Sequence, residues 1–363
     1  MSGTFMRSVL RSLSFAQVRR ISPARRDAAD PRVAAIYREM ERVFGVISPP
    51  VALHSPSPDM LAASWVMNYE TMLVPGLLDP AAKQAIATAV SVGNTCPYCV
   101  TIHGMLLRGL DHAQDADAIQ GDRPGTVTDP AVRAISEWAR ASGRADTAAE
   151  HEPPFPAEHA AEAVGVATWF HYLNRMVNVF VRDAPLPPMA PTAALRVALP
   201  ILSRRMRSAS RNEAAPGASL DLLPTAPLPP AFSWAAGDPN IAEAFGRAGG
   251  AVEAAGRRSV PATVRELVLA ELADWDGQPK GLSRAWVEEA VRALPAEDRP
   301  AGRLALLTAF ASYQVDDKVV GAVRDGGATD TALVELVSWS SLAAAGRVSG
   351  WMRIVGRSGV LEH

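Results

Sequence analysis

Apolar residues return every three to four positions through Val33 to Phe44, Met60 to Leu73, Pro80 to Val92, Cys96 to Leu110, Ala131 to Ala141 and Glu158 to Val181. No stretch alternates apolar and polar side chains as a half-buried strand would. This periodicity predicts an all-α chain. Start signals agree with it: Asp59 precedes one run, while Asp79-Pro80 and Asp129-Pro130 each set a capping acid before a proline suited to the first helical turn.

The chain has 363 residues, enough for two domains of ordinary size. Ten of its 29 prolines fall between Pro185 and Pro230, where no long helix can continue. We therefore expect a basic N-terminal segment over 1–30, a helical domain over 31–183, a proline-rich linker over 184–232 and a second helical unit over 233–363. Within the linker, Leu195 to Arg207 is apolar at one end and basic at the other, the pattern of a short docking helix broken near Pro200. The first 26 residues hold six arginines and no acid, a loose likeness to a transit peptide, but no signal-type apolar region follows. A basic surface segment and a cytoplasmic protein are the expectation.

The second unit repeats the layout of the first. Asp79 to Val92 lines up with Pro261 to Asp274 at an offset of 182, and Thr168 to Phe180 with Ser340 to Met352 at an offset of 172. Arg347 then stands opposite Arg175, and the ten-residue difference places extra loop in the first copy around Asp111 to Thr128. At the first offset, Cys96, Cys99 and His103 face Gln278, Gly281 and Ala285. The second copy is thus expected to be degenerate and to act as a packing partner.

Composition narrows the function. The 36 basic and 38 acidic residues nearly balance, which gives no reason to expect nucleic acid or an anionic membrane as partner. No apolar run is long enough to span a bilayer. Neither a glycine-rich phosphate loop nor a serine elbow is present, so no cofactor is expected. The whole thiol content is one C-x-x-C, Cys96 and Cys99.

That pair lies in Asn94-Thr95-Cys96-Pro97-Tyr98-Cys99-Val100-Thr101-Ile102-His103. Gly93 ends the preceding helix, Asn94 or Thr95 can cap the next, and Pro97 fits its first turn. The two cysteines then sit three apart near a helix N-terminus, with His103 four beyond Cys99 on the same face. A helix N-terminus and a neighbouring histidine favour the thiolate, the nucleophile that attacks a peroxide bond. A second thiol then condenses with the resulting sulfenic acid to form a disulfide. Three other readings compete. A zinc site lacks a fourth ligand at a recognisable spacing. An inert buried pair is open to any cysteines, which pack well as small hydrophobes. A glutaredoxin-type site shares Cys-Pro-Tyr-Cys but needs a strand before it, where Pro80 to Val92 reads as helix.

The stretch Lys83 to His103, with the Asn-x-Cys-x-x-Cys-x-x-x-His spacing and the tandem layout, resembles the alkylhydroperoxidase D-like branch of the carboxymuconolactone decarboxylase superfamily. Phe44-Gly45 to Ala52-Leu53-His54-Ser55-Pro56 and Trp65 to Glu70 look like the leader of its peroxidase-related members. The likeness covers most of 30–182 well and the second half faintly. It implies a compact helical fold that forms homo-oligomers, often trimers or hexamers of single units. It also implies that Cys99 reacts with peroxide, that Cys96 is the more exposed resolving and exchange thiol, and that His103 takes the thiol proton through water. A glutamate usually stands twelve residues before the first cysteine, where this chain has Gln84. An amide holds a water but accepts no proton at neutral pH. Glu70, on the preceding amphipathic helix, is the candidate substitute.

Other polar groups are less telling. His171, Asn174, Arg175 and Asn178 share one face of an apolar segment, and a structural role for Arg175 and Arg347, bonding helix-end carbonyls, is favoured over catalysis. His54, His112, His151, His159 and His363 join no constellation. The reading is a thiol peroxidase for hydrogen peroxide or organic hydroperoxides, weakly active and recycled by an unidentified dithiol reductant. The alternatives are a non-enzymatic redox-responsive helical protein, or an enzyme of the superfamily with another activity.

Overall fold

The computed structural model describes residue 12 and residues 14–25, 30–183 and 214–352, with the backbone at 354–355 and 361–362. The expected docking helix at Leu195 to Arg207 lies outside them. Among the described residues the fold is all-helical, apart from one antiparallel pair that sets Ile354–Val355 against Leu361–Glu362. The longer helices of the first half are α1 (Pro31–Phe44), α2 (Pro58–Asn68), α3 (Pro80–Gly93), α4 (Pro97–Arg108), α5 (Ala113–Gln120), α6 (Pro130–Ala141) and α7 (Ala160–Phe180). Those of the second are α8 (Pro239–Ser259), α9 (Ala262–Ala273), α10 (Arg299–Ala311), α11 (Asp317–Asp325) and α12 (Asp330–Ser349). No helix among the described residues is long and apolar enough to cross a membrane.

Proline and acid punctuate the chain as expected. The Asp79 carboxylate accepts from the Ala81 N–H, and Asp129 from those of Ala131 and Val132, each just before a proline that opens the helix. Asp59 is the second residue of α2 rather than the residue before it: Ser57 is the N-cap, and Asp59 pairs with Arg32. The run expected to end at Leu73 leaves the α form after Asn68 and finishes as one π-helical turn, Tyr69–Leu73. The extra loop expected at 111–128 contains α5 and a 3₁₀ turn.

All 21 residues of α7 are buried. Its Ala, Val and aromatic side chains pack on every side, and even its polar face of His171, Asn174, Arg175 and Asn178 is turned to other chain rather than to water. It lies against α3 within its own half and against α12 of the other, while α2 packs on α8 and α8 on α12. Glu162, near its start, is held by Lys83 of α3 at 2.6 Å and accepts the Leu77 and Leu78 N–H groups at 2.8 Å. The Lys83 ammonium also donates to the Val74 carbonyl. One carboxylate thus ties the chain before α3 to the central helix.

Residues 214–232, expected as part of a linker, are packed chain. Leu220, Leu223 and Phe232 are buried, and Arg247 of α8 donates to the Leu220 and Leu223 carbonyls. The close approach depends on glycine: a Cβ at Gly246 would stand 2.8 Å from the Ala226 carbonyl oxygen, and one at Gly249 2.8 Å from the Pro229 ring. An extended proline segment lies in the groove that these residues open. The described part of the basic N-terminal segment is docked as well. Arg19 donates its backbone N–H to the Phe180 carbonyl, and Arg20 pairs with Asp317 at 2.7 Å, so this strand of chain touches both halves.

Replacing Glu162 by Ala leaves Lys83 a buried cation without its counter-charge, and we expect a loss of about 3–5 kcal/mol. Chemical denaturation at neutral pH measures it. A loss below about 1 kcal/mol would show that the clamp does not hold the α3–α7 contact.

Candidate functional site

The turn between α3 and α4 sets the site. Thr95 takes a left-handed φ of 52°, which reverses the chain so that the Cys96 N–H donates to the Ser91 carbonyl at 3.0 Å. Cys96, rather than Asn94 or Thr95, is the N-cap of α4, with Pro97 first. Cys99 therefore occupies the third helical position, where unpaired N–H groups and the helix dipole favour negative charge.

Both thiols are free, and each is about 1% exposed. The expectation that Cys96 is the more open of the two is therefore corrected: the chain before it folds back onto α3 and covers it. Burial pushes the Cys99 thiol well above its ordinary range, a contact with Cys96 raises it further, and a hydrogen bond with Asn174 opposes the rise. In the resting state Cys99 is a thiol.

His103 and Gln84 meet directly. The His103 Nδ1 lies 2.8 Å from the Gln84 Oε1, so Nδ1–H is the donor and Nε2 is left as the proton-accepting nitrogen. The ring stands edge-on to Phe170 of α7 at 4.6 Å between centroids. Removal from water lowers His103 to about 3, so the imidazole is neutral at physiological pH. Among the described residues no carboxylate completes this pair. Glu70, the expected substitute, is buried elsewhere: it accepts from the Gly217 N–H at 3.0 Å and the Ser219 hydroxyl at 2.7 Å. It anchors the chain entering the second half, a partner 147 residues away that helical periodicity does not reveal. Cys96, Cys99 and His103 do not converge as a metal-ligating group.

Beneath the thiols runs a polar network that sequence reading saw only as one face of α7. The Asn94 amide donates to the Asn174 Oδ1 at 3.0 Å, and the Asn174 amide to the Ser91 hydroxyl at 3.0 Å. The Ser142 hydroxyl donates to the Ala139 carbonyl at 2.7 Å, which leaves its oxygen to accept Nε2–H of His171 at 2.9 Å. His171 Nδ1 then accepts from Asn94 at 3.1 Å. Burial, with the nearby charge of Arg175, holds His171 well below its usual range. Asn178 donates to the Asn94 carbonyl and to Ser312 of the second half. Asn174 was missed as a thiol partner; its signal was the spacing of His171, Asn174, Arg175 and Asn178 on an otherwise apolar helix. The two arginines do bond carbonyls at helix ends: Arg175 that of Ala309, Arg347 those of Ala273 and Trp275.

Fold and site together define a helical protein with one buried dithiol at a helix N-terminus, beside a neutral histidine oriented by an amide. No family model matches the chain. It is 33% identical over 337 residues, 92% of its length and 95% of the relative's, to the alkyl hydroperoxide reductase Rv2159c of Mycobacterium tuberculosis. At that identity and coverage the chain belongs to the alkylhydroperoxidase-like family.

His54 and His171 are fully buried, His54 held down to about 3 by loss of water, His171 lower than its usual range. Because the unfolded rings titrate near 6.5, the unfolded chain binds more protons below that pH, and stability present above it is lost on acidification. Going from about pH 7.5 to about pH 5.5 should lower the unfolding free energy by about 1 kcal/mol for each ring. Denaturant unfolding at the two pH values measures this, and equal stabilities would contradict it.

Proposed function

We propose that this chain is a thiol peroxidase that reduces hydrogen peroxide or organic hydroperoxides, with Cys99 as the peroxide-reactive thiol and Cys96 as the resolving one. The observation that carries the reading is the meeting of a dithiol at the α4 N-terminus with His103 on the adjoining turn of that helix, itself bonded to Gln84 of α3. His103 removes the Cys99 proton through water at Nε2. The thiolate attacks the outer peroxide oxygen; the S–O bond forms, the O–O bond breaks, and the alkoxide leaves with the proton held by His103. Cys99, oxidised by two electrons to a sulfenic acid, is attacked by the Cys96 sulfur, which forms the disulfide and releases water. An external dithiol then supplies two electrons and two protons and restores both thiols.

Gln84 orients the imidazole but adds no negative charge to stabilise its protonated form. Proton transfer from a raised thiol to a lowered imidazole is uphill at both ends. Weak turnover is the consequence. The second half, whose equivalent positions carry no cysteine, is read as a degenerate copy of the first that covers α7 as a second subunit would, and the whole chain as a unit of a homo-oligomer.

Peroxide consumption with a dithiol reductant tests the assignments. Cys99→Ser abolishes turnover, whereas Cys96→Ser permits one oxidation per chain and then stalls; normal cycling in the latter would overturn the resolving role. A reversible disulfide without turnover in the native chain would favour the redox-responsive reading. Gln84→Glu places a carboxylate against the imidazole and should raise turnover about tenfold, with the His103 pKa rising by about one to three units. Unchanged or lower activity would refute the relay.

A further inference from the structure

A cavity of about 470 Å³ opens between the two halves beside the Asn94–Thr95 turn, its walls drawn from the ends of α3 and α6, from α7 and from the second half. That volume suits a small organic molecule. Three aromatic residues of the second half, Trp275, Phe310 and Tyr313, line it, and Tyr313 is 44% exposed. Asn94 and His171 belong to the same lining.

Its other distinguishing group is Arg175. This residue is 6% exposed and forms no ion pair among the described residues, although buried cations are seldom left without a counter-charge. Its Nε donates to the Ala309 carbonyl at 3.0 Å and its Nη1 to the His171 carbonyl at 2.6 Å. The second hydrogen on Nη1 and both on Nη2 have no partner among the described residues, and Nη2 is not sealed within the core. Of the other arginines of the lining, Arg140 pairs with Asp122 and Arg144 with Asp146, while Arg123 is exposed and donates to the Asp117 carbonyl. Glu137, the remaining acid of the lining, makes no ion pair with Arg175.

We propose that this cavity is a binding site for a small organic carboxylate with an aromatic or apolar body, its carboxylate on the free edge of the Arg175 guanidinium and its body against Trp275, Phe310 and Tyr313. The guanidinium edge offers parallel N–H donors of the spacing that a carboxylate accepts, and the aromatic wall selects a flat apolar body over a small hydrated ion. Carbonyl bonding by Nε and Nη1 fixes the plane of the group in advance, so little side-chain entropy is lost on binding. Binding here requires no thiol chemistry, although the cavity shares Asn94 and His171 with the network beneath the thiols.

Fluorine NMR and calorimetry on the full chain, with 4-fluorobenzoate, its neutral counterpart 4-fluorobenzamide, and inorganic phosphate, test the proposal. The benzoate should bind saturably, and the benzamide and phosphate each about tenfold more weakly or not at all. Arg175→Gln, which keeps an N–H donor for a carbonyl but loses the charge, should weaken benzoate about tenfold, and the exposed Tyr313→Ala a few-fold. Where Arg175→Gln fails to fold by circular dichroism, the comparison of benzoate with benzamide on the native chain decides. Equal binding of the two, undiminished binding by Arg175→Gln, phosphate binding as well as benzoate, or no benzoate binding at millimolar concentration would each overturn it.

Discussion

The complete burial of α7 is the constraint on which the rest of the molecule depends. On a helix with no solvent-facing side an unpartnered polar group is costly, and the partners that its Glu162, Asn174 and Asn178 find each fix the position of something else. Glu162 fixes the chain before α3 through Lys83 and two backbone N–H groups. Asn174 fixes the turn before the thiols through Asn94 and Ser91, and Asn178 joins that turn to the second half. The second half is needed for this arrangement because α12 supplies the cover that removes α7 from water on its far side.

The same burial shapes the chemistry. Withdrawing Cys99 from water favours its neutral thiol, and withdrawing His103 favours its neutral imidazole. Both shifts oppose the charge separation that activation requires, while the α4 N-terminus and Asn174 act in the other direction. A carboxylate on the imidazole would offset much of the cost; an amide only holds the ring in one tautomer. Both sulfurs are covered, and the left-handed backbone at Thr95 just before them is a strained position for a β-branched residue.

Much of this was legible in the sequence because it rests on local rules. Helical periodicity located the elements of the first half, and Asp79 and Asp129 cap as their prolines suggested. The cysteine and histidine spacing put Cys99 and His103 one turn apart on α4, and the polar face of α7 is the one that carries the buried network. What escaped depends on contacts between distant segments. Glu70 reads as an ordinary glutamate on an amphipathic helix until Gly217 and Ser219 arrive to hold it. Proline-rich chain reads as linker until the glycines of α8 make a groove for it. The depth of Cys96 follows from a reversal at one threonine, for which no propensity argues.

The central claim is that each chain holds one self-contained redox centre. Treating the fully reduced protein with one equivalent of a hydroperoxide, quenching free thiols and mapping the peptides by mass spectrometry tests it most directly. The account predicts loss of two hydrogens per chain and a single intramolecular Cys96–Cys99 disulfide, with the peroxide recovered as its alcohol. Two thiols that remain alkylatable, or a disulfide between chains, would contradict it.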